Sequence, residues 1–284
     1  MKAETYFGVG MAAAFLLLLA GCGGRGQVQA ETQRFSLDGV SELVIAYDEE
    51  AVTLFRGEGE ELVIREYMTK NKERYHAKVS RRGDSLHISE GGKPFFHAGF
   101  SRYVEVYLPA SFHQELSVIT TNGTINLTEV DLELERLRVE STAGTVRIGS
   151  VTAGDIRLST TSGGVTCAML NGKVSFVTTS GSADIRAAVG SGSYTSTNSG
   201  RLSVAYTRVT GDLSLYGKNG DVILSLPEEL DFTFEAATKN GSISTAFRPY
   251  LSENGKTVSG TVGEWPGVRI TVETKNGDIQ VLRG

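Results

Sequence analysis

From residue 116 to the C-terminus, apolar and polar positions alternate, and the alternation breaks eight times at a small polar pair followed by glycine. The breaks are Thr121-Asn122-Gly123, Thr142-Ala143-Gly144, Thr161-Ser162-Gly163, Thr179-Ser180-Gly181, Asn198-Ser199-Gly200, Lys218-Asn219-Gly220, Lys239-Asn240-Gly241 and Lys275-Asn276-Gly277. Their glycines are 21, 19, 18, 19, 20, 21 and 36 residues apart. Apolar residues stand two and four places after the glycines, as in Val146 and Ile148, and five and seven places before them, as in Leu158 and Ile156. Strand side chains alternate faces, so each set lines one face, while Arg147, Asp184 and Arg157 fall on the other. A fixed period near twenty with this alternation predicts stacked coils.

A weaker turn recurs at Gly154, Gly172, Gly192 and Gly211. Each coil is therefore expected to have two long strands and a short third side. The fold class is all-β: a single-stranded β-solenoid of about eight coils over residues 111–284, a rod roughly 35–40 Å long. The corner glycine is expected to supply a positive φ or a close backbone approach. Before Gly200, Ser193 and Thr195 stand at apolar places and Tyr194 looks out of phase, which predicts a bulge or a thin core.

Residues 35–110 also read as β, without the glycine period. Strand candidates are Leu43–Ala46, Val52–Phe55, Leu62–Tyr67, Tyr75–Val79, Leu86–Ser89 and Val104–Leu108, and Pro109 stops the last. This half is expected to be an irregular opening and cap, because a solenoid end exposes strand edges. Its charge is uneven: Asp38 to Glu61 hold eight acids against Arg56, and Arg65 to Lys93 hold eight bases against four acids. Solvated strands that pair with each other account for this better than a patch that touches anionic lipid head groups or anionic wall polymers near the anchor.

The chain start has a different character. Residues 1–21 form a signal peptide: Lys2, then an apolar run from Phe7 to Ala20, too short for a membrane span. It ends in Leu19-Ala20-Gly21-Cys22, which resembles the bacterial lipobox. That implies cleavage before Cys22, acylation of Cys22 and membrane attachment through the lipid. Residues 22–34 read as the lipidated cysteine and a flexible tether. Cys167 then has no partner for an internal disulfide and falls at a core position.

Candidate chemistry is sparse. The four histidines are scattered, and no zinc spacing, nucleophile elbow or phosphate-cradling loop occurs. No catalytic, cofactor-binding or metal-binding residue is assigned, and no cofactor. Net charge is −5, which argues against nucleic acid as partner. Asp155, Asp212, Asp221 and Asp278 read as caps of their own turns. A column of Thr120, Ser141, Thr160, Thr178, Thr197, Thr238 and Thr274 could present a hydroxyl array, but its parity matches the core, so corner stacking is expected; Asn219, Asn240 and Asn276 are expected to stack likewise. The candidate contact surface is aromatic: Phe95, Phe96 and Phe100 in one loop, with Tyr103 close by, and Phe247, Tyr250 and Trp265 in the insertion that lengthens the last interval. The same rings are what a loop needs to lie over the end of a core, and that capping role is the favoured expectation for both groups.

Leu108-Pro109, the following strand, Thr121-Asn122-Gly123-Thr124-Ile125-Asn126-Leu127 and the repeated Thr-(Ser/Asn)-Gly turns together resemble the putative-adhesin β-strand-repeat family of unknown function. The resemblance spans about Phe35 to Gly284. It implies a β-solenoid at the bacterial envelope with no assigned catalytic residues. The expected role is a lipid-anchored, extracytoplasmic binding or scaffold module that meets an envelope polymer or a protein. The competing expectations are an accessory or sensor protein of an envelope-stress signalling system and, less favoured, a polysaccharide-active β-helix enzyme, which would need clustered carboxylates.

Overall fold

The computed structural model describes residues 28–95, 99–247 and 251–284. In chain order the strands are β1 Val28–Ser36, β2 Glu42–Tyr47, β3 Ala51–Gly57, β4 Glu61–Met68, β5 Lys78–Arg82, β6 Ser85–Ser89, β7 Arg102–Pro109, β8 Glu115–Thr120, β9 Ile125–Ser141 and β10 Val146–Thr160. They continue as β11 Val165–Thr178, β12 Ala183–Ser196, β13 Leu202–Asn219, β14 Val222–Leu226, β15 Phe232–Thr238, β16 Ile243–Thr245, β17 Leu251–Asn254, β18 Thr257–Val262, β19 Val268–Asn276 and β20 Ile279–Arg283. The described residues contain no α-helix, only a 3-10 turn at Glu73–Tyr75.

All strands join one sheet that coils into two long faces without closing. One face runs β1-β4-β7-β3-β9-β10-β11-β12-β13-β14-β20-β16. The other runs β5-β6-β2-β8-β9-β10-β11-β12-β13-β19-β15-β18-β17. Strands β9 to β13 belong to both, bending at a short third side where Val130, Leu132, Val151, Leu170 and Ala188 point inward. The architecture is β-solenoid-like, as the alternation predicts, and Val146, Ile156, Leu158 and Phe176 share its continuous core.

Stacking order departs from sequence order at both ends. The β2–β3 coil lies between β6–β7 and β8–β9, and the last coil, β19–β20, lies between β13–β14 and β15–β16. The 36-residue interval is thus more than an insertion in a final coil. It carries the β17–β18 hairpin, which folds back antiparallel on β15, after which the chain returns to the slot. Residues 35–110 form an end cap around one true coil, with β1, β4 and β5 added antiparallel outside it. The segment read as tether through Arg34 is already strand from Val28, because β1 pairs with β4 along eight register positions.

The corner glycines form one column. A Cβ built on Gly123 would collide with the carbonyl oxygen of Glu50; on Gly144, with that of Gly123; and so on through Gly163, Gly181, Gly200, Gly220, Gly277 and Gly241, each against its neighbour. Close approach, more than backbone angle, demands glycine here: only Gly200 and Gly220 of this column have positive φ. Beside it runs a buried hydroxyl column of Thr120, Ser141, Thr160, Thr178, Ser196, Thr238 and Thr274. Ser141, Thr160 and Thr178 accept from the N–H of Gly144, Gly163 and Gly181 at 3.0, 2.9 and 2.7 Å. Thr120 and Ser196 donate to carbonyls of their own corners.

Ser196 takes the place expected for Thr197. The corner before Gly200 holds one residue more than the corner before Gly181, so the strand register slips by one. Tyr194 is therefore in phase: it sits opposite Phe176 and Leu215, fully buried. Its hydroxyl meets that of Tyr206 at 2.9 Å, in space that a side chain on Gly192 would fill. The asparagines stack as expected, with Asn240 donating to Asn276 (2.7 Å), Asn276 to Asn219 (2.5 Å) and Asn219 to the Asn198 carbonyl (2.6 Å). Asp155 pairs with Arg157 on its own strand, and the other three aspartates clip neighbouring coils rather than cap their own turns. Asp212 accepts from Arg269 N, Asp221 from Asp278 N and Asp278 from Ser242 N. Cys167 is buried, and burial pushes its thiol up, away from reactivity.

Gly163→Ala should lower the melting temperature by several degrees, since one methyl forced against a backbone carbonyl costs about 1–3 kcal/mol. Ser162→Ala, one residue away and exposed, should leave it within about a degree. Equal melting curves for the two variants would refute the close-contact column.

Candidate functional site

The aromatic contact candidates divide between the two ends of the stack. Phe95 follows β6 in the outermost N-terminal layer and is 90% exposed; Trp265 joins β18 to β19 near the opposite end and is 82% exposed. They cannot form one site. Phe100 is half-buried, with its ring edge-on to Tyr75 at 5.5 Å. Phe247 is not a contact residue. It is fully buried, edge-on to Phe232 at 5.2 Å and beneath the Arg283 guanidinium, because the end of the core needs apolar cover. Cys22, Phe96 and Tyr250 lie outside the described residues.

The loop that carries Trp265 is tightly held. The Asp231 carboxylate accepts from the N–H of Glu264 (3.1 Å) and of Trp265 (3.0 Å), and Gly263, at φ 83°, leaves room for that carboxylate. The indole is thus displayed on a fixed backbone. Fixed exposed aromatics lose little entropy on binding.

A second outward feature was missed by pattern reading. On the solvent side of β3, β7 and β4, Phe55 stacks on Tyr107 at 5.2 Å and Tyr67 on Tyr103 at 4.4 Å. The Arg65 guanidinium lies 4.4 Å from the Tyr107 ring centre. Glu105 accepts from both Tyr67 (2.9 Å) and Tyr107 (2.8 Å). A cleft of about 280 Å³ adjoins it, lined by Arg34, Arg56, Glu60, Glu61, Arg65 and Tyr107 among others. The outward parity of these residues was legible; the parallel β3–β7 and antiparallel β4–β7 pairings that join them were not.

The third feature is internal. At Glu50 the glycine column ends, and a buried ionic cluster replaces the next corner. The Arg102 side chain is wholly buried, 2.8 Å from Glu50, 3.5 Å from Glu90 and bonded to the Tyr75 carbonyl. Lys93 Nζ lies 3.4–3.8 Å from Asp48, Glu49, Glu50 and Glu90. Glu66, also buried, accepts from Ala77 N (2.6 Å) and Tyr47 (3.4 Å). Burial and the hydrogen bond to Glu50 push the Glu90 carboxyl up to about 7. Burial would also raise Glu50, but the hydrogen bond to Glu90 and the charges of Arg102 and Lys93 outweigh it and hold Glu50 low. Through Arg102 and Lys93 the cluster ties the β6–β7 layer to the β2–β3 coil. Among the described residues no group of His, Cys, Asp and Glu could hold a metal ion.

The sequence from residue 40 to residue 282 matches the Toastrack DUF4097 family. The chain belongs to that family. Among solved structures, this Toastrack chain is similar to a putative adhesin of Parabacteroides distasonis (11% identity, TM-score 0.43, covering 88% of this chain and 96% of that one). It is also similar to a putative lipid binding protein of the same organism (12%, TM-score 0.46, 88% and 96%) and to a putative cell adhesion protein of Clostridium sporogenes (12%, TM-score 0.34, 89% and 98%). No curated protein matches the chain. No helix among the described residues is long and apolar enough to cross a membrane.

The Toastrack end cap should be pH-sensitive. A carboxyl raised from 4.5 to about 7 on folding adds stability that is full below pH 4.5 and lost as pH rises through 7. The slope is at most about 1.4 kcal/mol per pH unit. Melting temperature should therefore fall from pH 5 to pH 8, and Glu90→Gln should flatten most of that fall, leaving the share of Glu66, also raised by burial. An equally steep fall in the variant would remove Glu90 from the account.

Proposed function

We propose that this chain is a non-catalytic binding module of the bacterial cell envelope, held to a membrane by lipid on Cys22. The observation that carries the reading is Trp265, 82% exposed on a loop whose backbone Asp231 holds in place. A side chain that contributes so little to the fold, yet is presented so rigidly, fits a contact role. Leu19-Ala20-Gly21-Cys22 supports the anchor. Five residues separate Cys22 from β1, a span of at most about 22 Å, so the N-terminal edge of the stack would sit near the bilayer. Trp265 would then face away, towards an envelope polymer or a protein partner.

Two measurements test this. Cys22→Ser should leave the chain unprocessed or released from membranes; membrane retention at the wild-type mature mass would reject lipidation. Trp265→Ala should leave the melting temperature within about a degree, as exposed substitutions do, while adhesion to isolated envelopes falls. A drop of several degrees would make the indole a cap, and unchanged adhesion would remove it from the contact surface.

A further inference from the structure

The three Lys-Asn-Gly corners are separated in sequence but consecutive in space. Gly217 lies opposite Thr274 and Asn219 opposite Asn276, which puts Lys218 beside Lys275. Thr238 lies opposite Thr274, and Asn240 N donates to the Lys275 carbonyl at 2.8 Å, which puts Lys239 on the other side of Lys275. All three lysines are exposed. Adjacent strands are about 4.8 Å apart, so three lysine positions stand in a row on a corner stiffened by the asparagine ladder. Lys256, from the turn between β17 and β18, bonds through Nζ to the Gly241 carbonyl and extends the row.

The acids that follow these corners keep their charge but hydrogen-bond along their own ladder rather than to the three lysines. Asp221 accepts from Asp278 N, and Asp278 from Ser242 N and Oγ. Among the described residues no ion pair joins Lys218, Lys239 or Lys275 to a carboxylate. Like charges on neighbouring strands oppose one another. Packing does not require them: the same corner place is held by Thr121, Thr142, Thr161 and Thr179 in earlier coils. The row therefore weakens the fold slightly and concentrates positive charge on a molecule of net charge −5.

We propose that the Lys218–Lys275–Lys239 row binds a linear phosphate polymer laid along the stacking axis. Its regular spacing suits a chain of repeating anionic groups better than a single small anion. The proposal depends on the binding-module reading only for where such a polymer is met. It requires neither Cys22 nor Trp265.

The test uses residues 23–284, which keep all twenty strands, with inorganic polyphosphate as probe, titrated at about 50 and about 200 mM salt. Binding should weaken with salt. The triple variant Lys218→Gln, Lys239→Gln, Lys275→Gln should lose at least about tenfold in affinity, and its log–log salt slope should flatten by about two, as loss of three phosphate contacts on a single strand predicts. Its melting temperature should hold or rise. The control Lys70→Gln, Lys72→Gln, Lys78→Gln, at the opposite end, should bind as the parent does. An unchanged affinity in the first variant, an equal loss in the control, or a fall in melting temperature in the first variant would each overturn the proposal. Failure here would leave the anchor and the Trp265 contact untouched, since both are read in other assays.

Discussion

Everything in this molecule is built around a backbone approaching a backbone. Each corner sits on the carbonyl of the one before it, from Glu50 through Gly123 to Gly241, with no space for a single methyl. That contact sets where each coil turns. Where the coil turns decides which side chains face inward, since a slip of one residue exchanges the two faces. The buried hydroxyls of Ser141, Thr160 and Thr178 belong to the same device: close-packed corners cannot admit water, so the glycine N–H takes its bond from a side chain three residues earlier. The corner before Gly200 shows the tolerance of the design. An extra residue is absorbed in the turn, Ser196 replaces threonine, and Tyr194 stays in the core.

Local features were legible in the sequence for that reason. A glycine requirement, a preceding hydroxyl and two-residue alternation are all short-range marks, so the repeat, the core face and the burial of Cys167 could be read directly. Stacking order could not. Nothing in Ile270, Val272, Ile279 or Val281 distinguishes a coil that ends the rod from one inserted between two others. The same blindness hid β1. Its mixed composition, with Gln29, Glu31, Thr32 and Arg34, resembles a tether until β4 is known to lie beside it.

The candidate surfaces followed the same division. Phe247 and Trp265 were both readable as aromatics of an irregular segment that caps the core or makes contacts; which ring does which was not, because only the end of the core shows which ring it needs. The aromatic set on β3, β7 and β4 depends on antiparallel pairing across 35 to 45 residues, as with Tyr67 and Tyr103 or Val63 and Tyr107. Cross-strand partners at such separation leave no periodic trace. The Glu50–Arg102 cluster was hidden for a related reason: its acids and bases come from separate segments, and each alone looked like an ordinary solvated charge.

The two ends share a physical problem and solve it alike. A parallel stack leaves a bare layer at each terminus, and a bare layer invites pairing with another chain. Here each end inserts one coil out of order and then closes with antiparallel strands, β4 and β5 at one end and β18 at the other. An inserted coil is paired on both sides, so it cannot peel away without parting two interfaces. The inserted corners are therefore held on both sides like those inside the stack, and features placed near them gain rigidity. The Lys275 corner lies between two others, and the Glu50 corner lies directly beneath the ionic cluster. Fixed geometry is available at both ends of the rod; beside one lies charge that ties layers together, and beside the other lies charge that the fold does not need.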